Sequence, residues 1–371
     1  MQRLVLAGLG HAHLFVLEAI AKGKFPRCEV IVCTAESMHV YSGMVPGWLG
    51  GLYALPDLTV NVAALCARTG ATLLPQHVTA LDVPARTLTL DDGTVVPFDV
   101  CSLAVGSLPA GMHIAGAREH AVPLKPLQHV ERIMARLDAL AVNGRGHVTV
   151  VGGGLAGVEM ALASRARLAS VAGGDRVTVS IVTRDATLFS ERGERLANTL
   201  MRACANASIA VQLNTEVESV SATAVTLHDG RTRPSDLTIW ATGPAAPPWL
   251  ARSGVPVDER GFLLVDDYLR VASMPHVFAA GDCATLNSAR ATPKAGVYAV
   301  RMGPHLATVL GDAISGRAPS VTFQPQSRWL ALVNTADGRA IASWGKLSAH
   351  GVWAMWLKDR IDRAFISRFA S

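Results

Sequence analysis

One device occurs twice in this chain and restricts its fold more than any other feature: a short apolar strand that runs into closely spaced glycines and then into a helix. The second copy is complete. His147-Val-Thr-Val-Val151 leads into Gly152, Gly154 and Gly157, and a helical pattern comes next. The first glycine permits a tight turn, the second leaves the backbone open to a pyrophosphate, and the third lets helix and strand pack closely. The helix behind turns its N–H groups and the positive end of its dipole on that pyrophosphate. The first copy opens the chain: Leu4–Ala7, then Gly8 and Gly10, then a helix from Leu14 to Ala21. Its third glycine position holds His13, which is larger than the close helix–strand contact normally allows.

The segments after each copy also repeat. Glu29–Thr34 and Val177–Thr183 read as second parallel strands. Residues 77–98, around Asp91-Asp-Gly93, and residues 217–227, before Asp229-Gly230, alternate like hairpins. Asp99–Gly106 and Asp236–Gly243 are buried-type strands that end in glycine. The copies begin 144 residues apart, at Gly8 and Gly152, and a duplicated nucleotide-binding unit is the reading that explains them. A helix is expected over 128–141, between the units.

An acid at the end of the second strand would hold the adenosine ribose hydroxyls. In the first unit Thr34 stands there, and the nearest acid is Glu36. In the second, Arg184 follows the strand, which suits a ribose 2′-phosphate, while Asp185 suits NADH. The sequence leaves NADH and NADPH both open.

Three further stretches carry chemistry. Val40–Gly51, with glycines, Pro46 and two aromatics, reads as a loop pressed against a flat ligand. Val277-Phe-Ala-Ala-Gly-Asp282 sets a carboxylate at the end of a buried strand, where a sugar-alcohol hydroxyl could meet it. Pro293–Arg301 opens a helix whose small N-terminal residues suit negative charge on a reduced ring system. In the tail, strands 329–333 and 340–344 flank Asp337-Gly338, and residues 353–369 read as an amphipathic helix. Trp353, Trp356, Leu357, Ile361, Phe365 and Phe369 fall on one side, with Lys358, Asp359, Arg360, Asp362 and Arg363 mostly on the other. Tryptophans beside basic residues suit a membrane interface. The alternative is docking on the chain's own body, or on a second copy in a homodimer.

Half the residues are apolar and 17% are charged, so the chain is globular rather than disordered. The formal charge of +5 comes without a basic run interleaved with aromatics, which argues against nucleic acid. The six cysteines form no C-x-x-C and no zinc spacing, so reduced core thiols and a cytoplasmic protein are expected. No leader pattern and no apolar stretch of about 18 residues is seen, so any membrane contact would be peripheral, on the inner face of the cell membrane. His11, His13 and His39 invite a metal reading, but loop and core roles are expected for them.

Taken together, Gly8-x-Gly10, the full Gly152 motif with Glu159, Ala241-Thr-Gly243, Gly281-Asp282 and Pro293-Lys-Ala-Gly-Val-Tyr298 resemble the two-dinucleotide-domain flavoprotein superfamily, the pyridine nucleotide-disulfide oxidoreductases, along residues 1–320. The chain is most similar to the type II NADH dehydrogenase-like branch. Tyr41-Ser-Gly-Met-Val-Pro-Gly47 and Asn334–Trp344 resemble the subgroup associated with selenophosphate synthetase.

The resemblance implies an α/β fold of two Rossmann-like three-layer domains, the second inserted in the first. The FAD-binding domain would span 1–110 and 236–320, the NAD(P)H-binding domain 111–235, and a small α+β region 321–371. FAD would be held by Gly8, Gly10, His11, His13, Glu36, Ser42, Pro46, Val78, Ala104, Gly106, Gly281, Asp282, Lys294 and Ala295. NADH or NADPH would be held by Gly152, Gly154, Gly157, Glu159, Arg184 and Gly243. Asp282 would hold the ribityl chain, Ala295-Gly296 would lie at the flavin pyrimidine edge, and Glu159 would lie near the nicotinamide. Lys294 would support the anionic reduced flavin, with Lys125 approaching the same crevice. The family's dithiol reductases carry a cysteine pair beside the flavin. Residues 38–53 have none, so dithiol chemistry is not expected. The leading expectation is a two-electron NAD(P)H oxidoreductase with a quinone acceptor. The alternatives are a selenium or sulfur compound or a protein partner as acceptor, and a slow redox-sensing flavoprotein.

Overall fold

β1 (Arg3–Ala7) is a Leu/Val run buried on both faces, the pattern of a central parallel strand. The computed structural model describes residues 1–370, apart from the Ser190 side chain. In it β1 leads through Gly8–Gly10 into α1 (His11–Ala21). Parallel partners lie on both sides of β1. One side carries β2 (Glu29–Cys33) and beyond it β3 (Thr72–Leu74); the other carries β4 (Val100–Leu103).

The second sheet uses the same device. It contains β5 (Ala121–Pro123), β6 (Gly146–Val151), β7 (Val177–Val182), β8 (Ile209–Gln212) and β9 (Leu237–Trp240), all parallel, with α2 (Leu155–Ala169) after β6. Its order is β5-β9-β6-β7-β8. The first sheet runs β10-β4-β1-β2-β3, where β10 is Val277–Ala279. Each sheet therefore repeats closing strand, first, second, third. Only the outer strand differs: the first sheet takes β10 from later in the chain, and the second takes β5 from the segment that enters it. Each unit also carries its own three-stranded antiparallel sheet, over 78–97 and 217–234.

Two sequence-based expectations need correction here. A boundary at residue 236 would cut β9 away from its sheet, because β9 pairs with β5 and β6. The strand-to-glycine segment closes its own unit, as residues 99–106 close the first. The chain crosses back after Gly243, where Pro244–Ala245 runs antiparallel to Leu108–Pro109. Val40–Gly51 is also not simply a loop. It forms a short helix, Val45–Leu49, with Pro46 in its first turn, where a missing N–H costs nothing. Every residue of that helix is buried.

α3 (Gly296–Ile314) packs on α1. The C-terminal region is an antiparallel sheet of β11 (Leu330–Asn334), β12 (Ala340–Trp344) and β13 (Leu347–Gly351), then α4 (Val352–Ala370). The third strand, β13, was not anticipated.

The two helix–sheet contacts differ at one position. A Cβ on Gly157 would stand 2.1 Å from the Gly152 carbonyl oxygen, so only glycine lets α2 approach β6 this closely. The equivalent His13 is fully buried and answers the same need differently. Its Nδ1–H donates to the Gly8 carbonyl at 2.7 Å, and its Nε2 accepts from the Ser102 hydroxyl at 2.9 Å. The Gly8 carbonyl can only accept, which assigns the tautomer. Burial pushes the imidazole down to about 4, so it is neutral at pH 7. His13→Ala is expected to cost about 2–4 kcal/mol, from the cavity and the two orphaned partners. Urea denaturation of the purified chain measures this, and a loss below about 1 kcal/mol would contradict the role.

Candidate functional site: two dinucleotide cradles and the junction between them

The first cradle forms at the carboxyl edge of the first sheet, where open parallel sheets bind ligands in the crevice beyond their strand ends. Gly8 has φ +75°, and a Cβ there would stand 2.8 Å from the Ala104 carbonyl oxygen; one on Gly10 would stand 2.6 Å from it. The Gly10 N–H bonds the Ala104 carbonyl at 3.0 Å, so the turn is fastened to the chain just past β4. Gly106 follows with φ +72°, and Ser107 donates to Asp282 at 3.3 Å. Gly281 and Asp282 thus reach the crevice from β10, and Ala295 caps α3 beside them. The first N–H groups of α1 and α3 have no partners within their helices. Backbone left bare by glycine, two helix N-termini and one carboxylate fit a dinucleotide that carries pyrophosphate and hydroxyls.

His11 begins α1 with its ring edge against Gly296, where a Cβ would lie 3.6 Å from His11 Nε2 and 3.9 Å from Ser42 Oγ. Ser42 therefore joins this cradle. His11 Nδ1 lies 2.9 Å from His39 Nε2, and His39 Nδ1 lies 2.7 Å from the Leu9 carbonyl. Glu36 accepts from the Thr34 hydroxyl at 2.6 Å, so the threonine at the strand end aims the acid two residues on.

Other expected residues fall differently. Pro46 serves the buried 45–49 helix. Val78 pairs with Leu90 in the antiparallel sheet. Lys294 lines the crevice beside Asp282 and Ala295, but its ammonium is held by neighbours in the chain. Its ammonium donates to the Ala284 carbonyl and to Thr285 Oγ1 and sits 4.3 Å over the Phe262 ring, and the charges of Asp258 and Asp282 also act on it. Burial pulls it down to about 8. Lys125 is exposed, yet near enough for its charge to depress both His11 and His39.

The second cradle has open space at Gly154, the N-cap of α2. The threonine-to-acid arrangement recurs: Thr183 Oγ1 lies 3.1 Å from Asp185 Oδ2 and accepts from the Asp185 N–H. Arg184 between them is exposed. Gly243 accepts from the Ala110 N–H at the chain crossing. No sequence rule flagged the threonines, but the shared Thr-x-acid spacing at 34–36 and 183–185 was legible.

Glu159 faces the C-terminal region from α2. The Asn334 N–H donates to it at 2.8 Å, and the charge of Lys358 acts on it. Lys358 and Asp362, one turn apart on α4, are both buried, with side chains 6% exposed, and bond at 2.7 Å. Lys358 also donates to the Gly43 carbonyl at 2.7 Å. This corrects the expected helix faces. The buried face is Ala354, Met355, Lys358, Asp362, Ile366 and Phe369, while Trp353 and Trp356 are 54% and 62% exposed. The ion pair satisfies itself and the loop, so it goes inside. Phe365 stacks on Tyr41, ring centroids 4.4 Å apart, and Arg368 pairs with Glu18.

Burial pushes the Glu159 carboxyl up from 4.5 to about 7, against the pull of Lys358 and the Asn334 N–H. A carboxyl raised on folding stabilises fully below its unfolded value and loses that contribution as pH rises through its folded one. Glu159→Gln is therefore expected to flatten the decline in thermal midpoint between pH 4.5 and 7; an unchanged decline would contradict this.

All six cysteines are free, and burial raises Cys101 and pushes Cys283 up to about 11.

Known proteins share this fold. The model of the pyridine nucleotide-disulphide oxidoreductase family matches residues 2–303. An NADH dehydrogenase-like protein of Mycobacterium tuberculosis is 32% identical over 295 residues, covering 76% of this chain and 73% of the relative. The demethylphylloquinone reductase of Synechocystis is 26% identical, covering 76% and 72%. The sulfide:quinone oxidoreductase of Aquifex aeolicus superposes with a TM-score of 0.84 at 16% identity, over 100% of this chain and 92% of that one. Two glycine turns on two parallel sheets, matched over most of the chain, make this protein a member of the pyridine nucleotide-disulphide oxidoreductase family.

Proposed function

We propose that this chain is an FAD-dependent NADH dehydrogenase that passes electrons to a quinone. The observation that carries the reading is the pair of dinucleotide cradles on two like sheets, with a buried acid and ammonium at their junction. FAD, held at Gly8–Gly10, Ala104–Gly106, Asp282 and Ala295–Gly296, supplies the two-electron chemistry between nicotinamide and acceptor. The second cradle holds the nicotinamide dinucleotide at Gly152–Gly157.

Asp185 favours NADH, because a ribose 2′-phosphate would meet its carboxylate. Quinone reduction consumes two protons as well as two electrons. Glu159, titrating near neutrality beside the Lys358 ammonium, is a group at the junction suited to giving one up. The names of the relatives in Mycobacterium tuberculosis and Synechocystis support the same assignment.

Among the described residues no helix is long and apolar enough to cross a membrane. Leu347, Val352, Trp353 and Trp356 stand exposed on the C-terminal region and suit peripheral contact with a bilayer that carries the quinone. A selenium or sulfur compound as acceptor rests on the resemblance of residues 41–47 and 334–344.

The test is stopped-flow reduction of the FAD-loaded chain by NADH and NADPH, then reoxidation by a short-chain quinone, selenite or polysulfide. Faster reduction by NADH and fastest reoxidation by quinone are expected. Reoxidation by selenite or polysulfide alone would replace the quinone, and no reduction by either nucleotide would end the reading.

A further inference from the structure

The His11–His39 pair stands at the edge of the first cradle, His39 buried and His11 partly so, and neither the glycine turns nor the junction calls on its protons. Its hydrogen bonds assign its protons. The Leu9 carbonyl only accepts, so His39 carries its proton on Nδ1 and presents a lone pair at Nε2. His11 must then donate from Nδ1, which leaves its own Nε2 as a bare acceptor. That nitrogen lies on the ring edge against Gly296, in the first cradle.

The surroundings keep the pair neutral. Burial holds His11 well below its ordinary value and pushes His39 down to about 4. Lys125 repels charge on both, and only the Leu9 carbonyl and, more weakly, Glu36 favour charge on His39. The Tyr41 and Phe365 rings pack on His11. Asp362 behind them is occupied by Lys358 and Tyr41. His13 is turned away to Gly8 and Ser102. What a charged pair lacks is an anion at close range, and a redox cofactor in this cradle would gain negative charge on reduction.

We propose that His11 and His39 form a two-histidine proton store at the first cradle, loaded through His11 Nε2 and holding its charge on His39. One proton from water bonds to His11 Nε2, the His11 Nδ1–H bond breaks, and that proton bonds to His39 Nε2. No electron moves. The carbonyl of Leu9 ends the chain of hydrogen bonds, so the proton returns by the way it came. The pair is a store at the cradle and not a conduit to solvent. This inference rests on the reading that a flavin occupies the first cradle.

The test is potentiometric titration of the FAD-loaded chain between pH 6 and 8. Two-electron reduction linked to two protons shifts the midpoint with pH twice as steeply as reduction linked to one. The wild type is expected to show the steeper slope, and His39→Gln half of it. Gln can still donate to Leu9 and accept from His11, but it cannot take up a proton. Equal slopes in the two proteins would overturn the store. Independently, ¹⁵N spectra of the wild type should show His39 protonated at Nδ1 alone when oxidised and at both nitrogens after reduction by dithionite; an unchanged His39 would also overturn it. A chain that stays colourless with FAD fails the cradle reading itself, whereas a yellow chain with a one-proton slope fails the store alone.

Discussion

Replacing Lys358 with Met is expected to destabilise the folded chain by about 3–5 kcal/mol at pH 8, the usual cost of removing one partner of a buried ion pair. The Lys358 ammonium neutralises Asp362 at 2.7 Å, satisfies the Gly43 carbonyl and lowers Glu159 by its charge. Without it two carboxylates share a buried site with no cation against them. Both would then titrate higher than they do now, and both already lie above their ordinary values. Raised carboxyls stabilise most when protonated, so the loss should shrink as pH falls toward 5. The double variant Lys358→Met/Asp362→Leu should recover part of the stability, since an apolar pair of similar volume often replaces a buried ion pair at little cost. Urea midpoints of the three proteins at pH 5 and pH 8 measure all of this. A single variant as stable as the wild type at pH 8 would mean that α4 docks without the buried pair, through its apolar residues, the Arg368–Glu18 and Arg363–Asp57 pairs and the Arg68 hydrogen bond to the Phe369 carbonyl.

The second large effect is expected at Gly157. An alanine Cβ would stand 2.1 Å from the Gly152 carbonyl oxygen and 3.1 Å from its carbon, both rigid backbone. Neither neighbour can yield as a flexible side chain would, so α2 must move off β6 by about an ångström. Its N-terminus then no longer faces the pyrophosphate that Gly154 leaves room for. A misplacement of that size commonly costs ~10²-fold in rate. Gly157→Ala should therefore keep its flavin colour and lose about two orders of magnitude in the rate of flavin reduction by NADH. A near wild-type rate would show that α2 and β6 repack without moving the cradle.

The two units show how one problem takes two answers. At Gly157 the helix comes close and glycine is the only residue that fits. At His13 the imidazole fills the interval and bonds Gly8 and Ser102 across it. From the sequence, His13 looked like damage to a fingerprint. It was legible as an exception but not as a solution, because Ser102 lies 89 residues away and reaches it only once β4 pairs with β1.

The α/β class, the two glycine turns, the repeat of first strand, second strand, hairpin and closing strand, and the Gly281-Asp282 corner were legible in the sequence; the third parallel strands β3 and β8 and the outer strand β5 were not. The legible features depend on short-range rules: apolar runs that prefer burial on both faces, glycines that permit turns, and helix ends that carry unpaired N–H groups. The Thr-x-acid spacing at 34–36 and 183–185 was in the sequence too, although the threonines that aim those acids went unread.

The tertiary structure alone decided the rest. It placed β9 with the second sheet, turned the Lys294 ammonium toward Thr285 and Phe262, and put Lys358 and Asp362 inside while two tryptophans stayed out. Each of these outcomes depends on partners far apart in the chain. A helix's apolar stripe predicts its buried face only while polar residues find nothing better than water. Where Lys358 finds both Asp362 and the Gly43 carbonyl, the stripe yields, and that choice can be made only after the 41–49 segment and α4 have met.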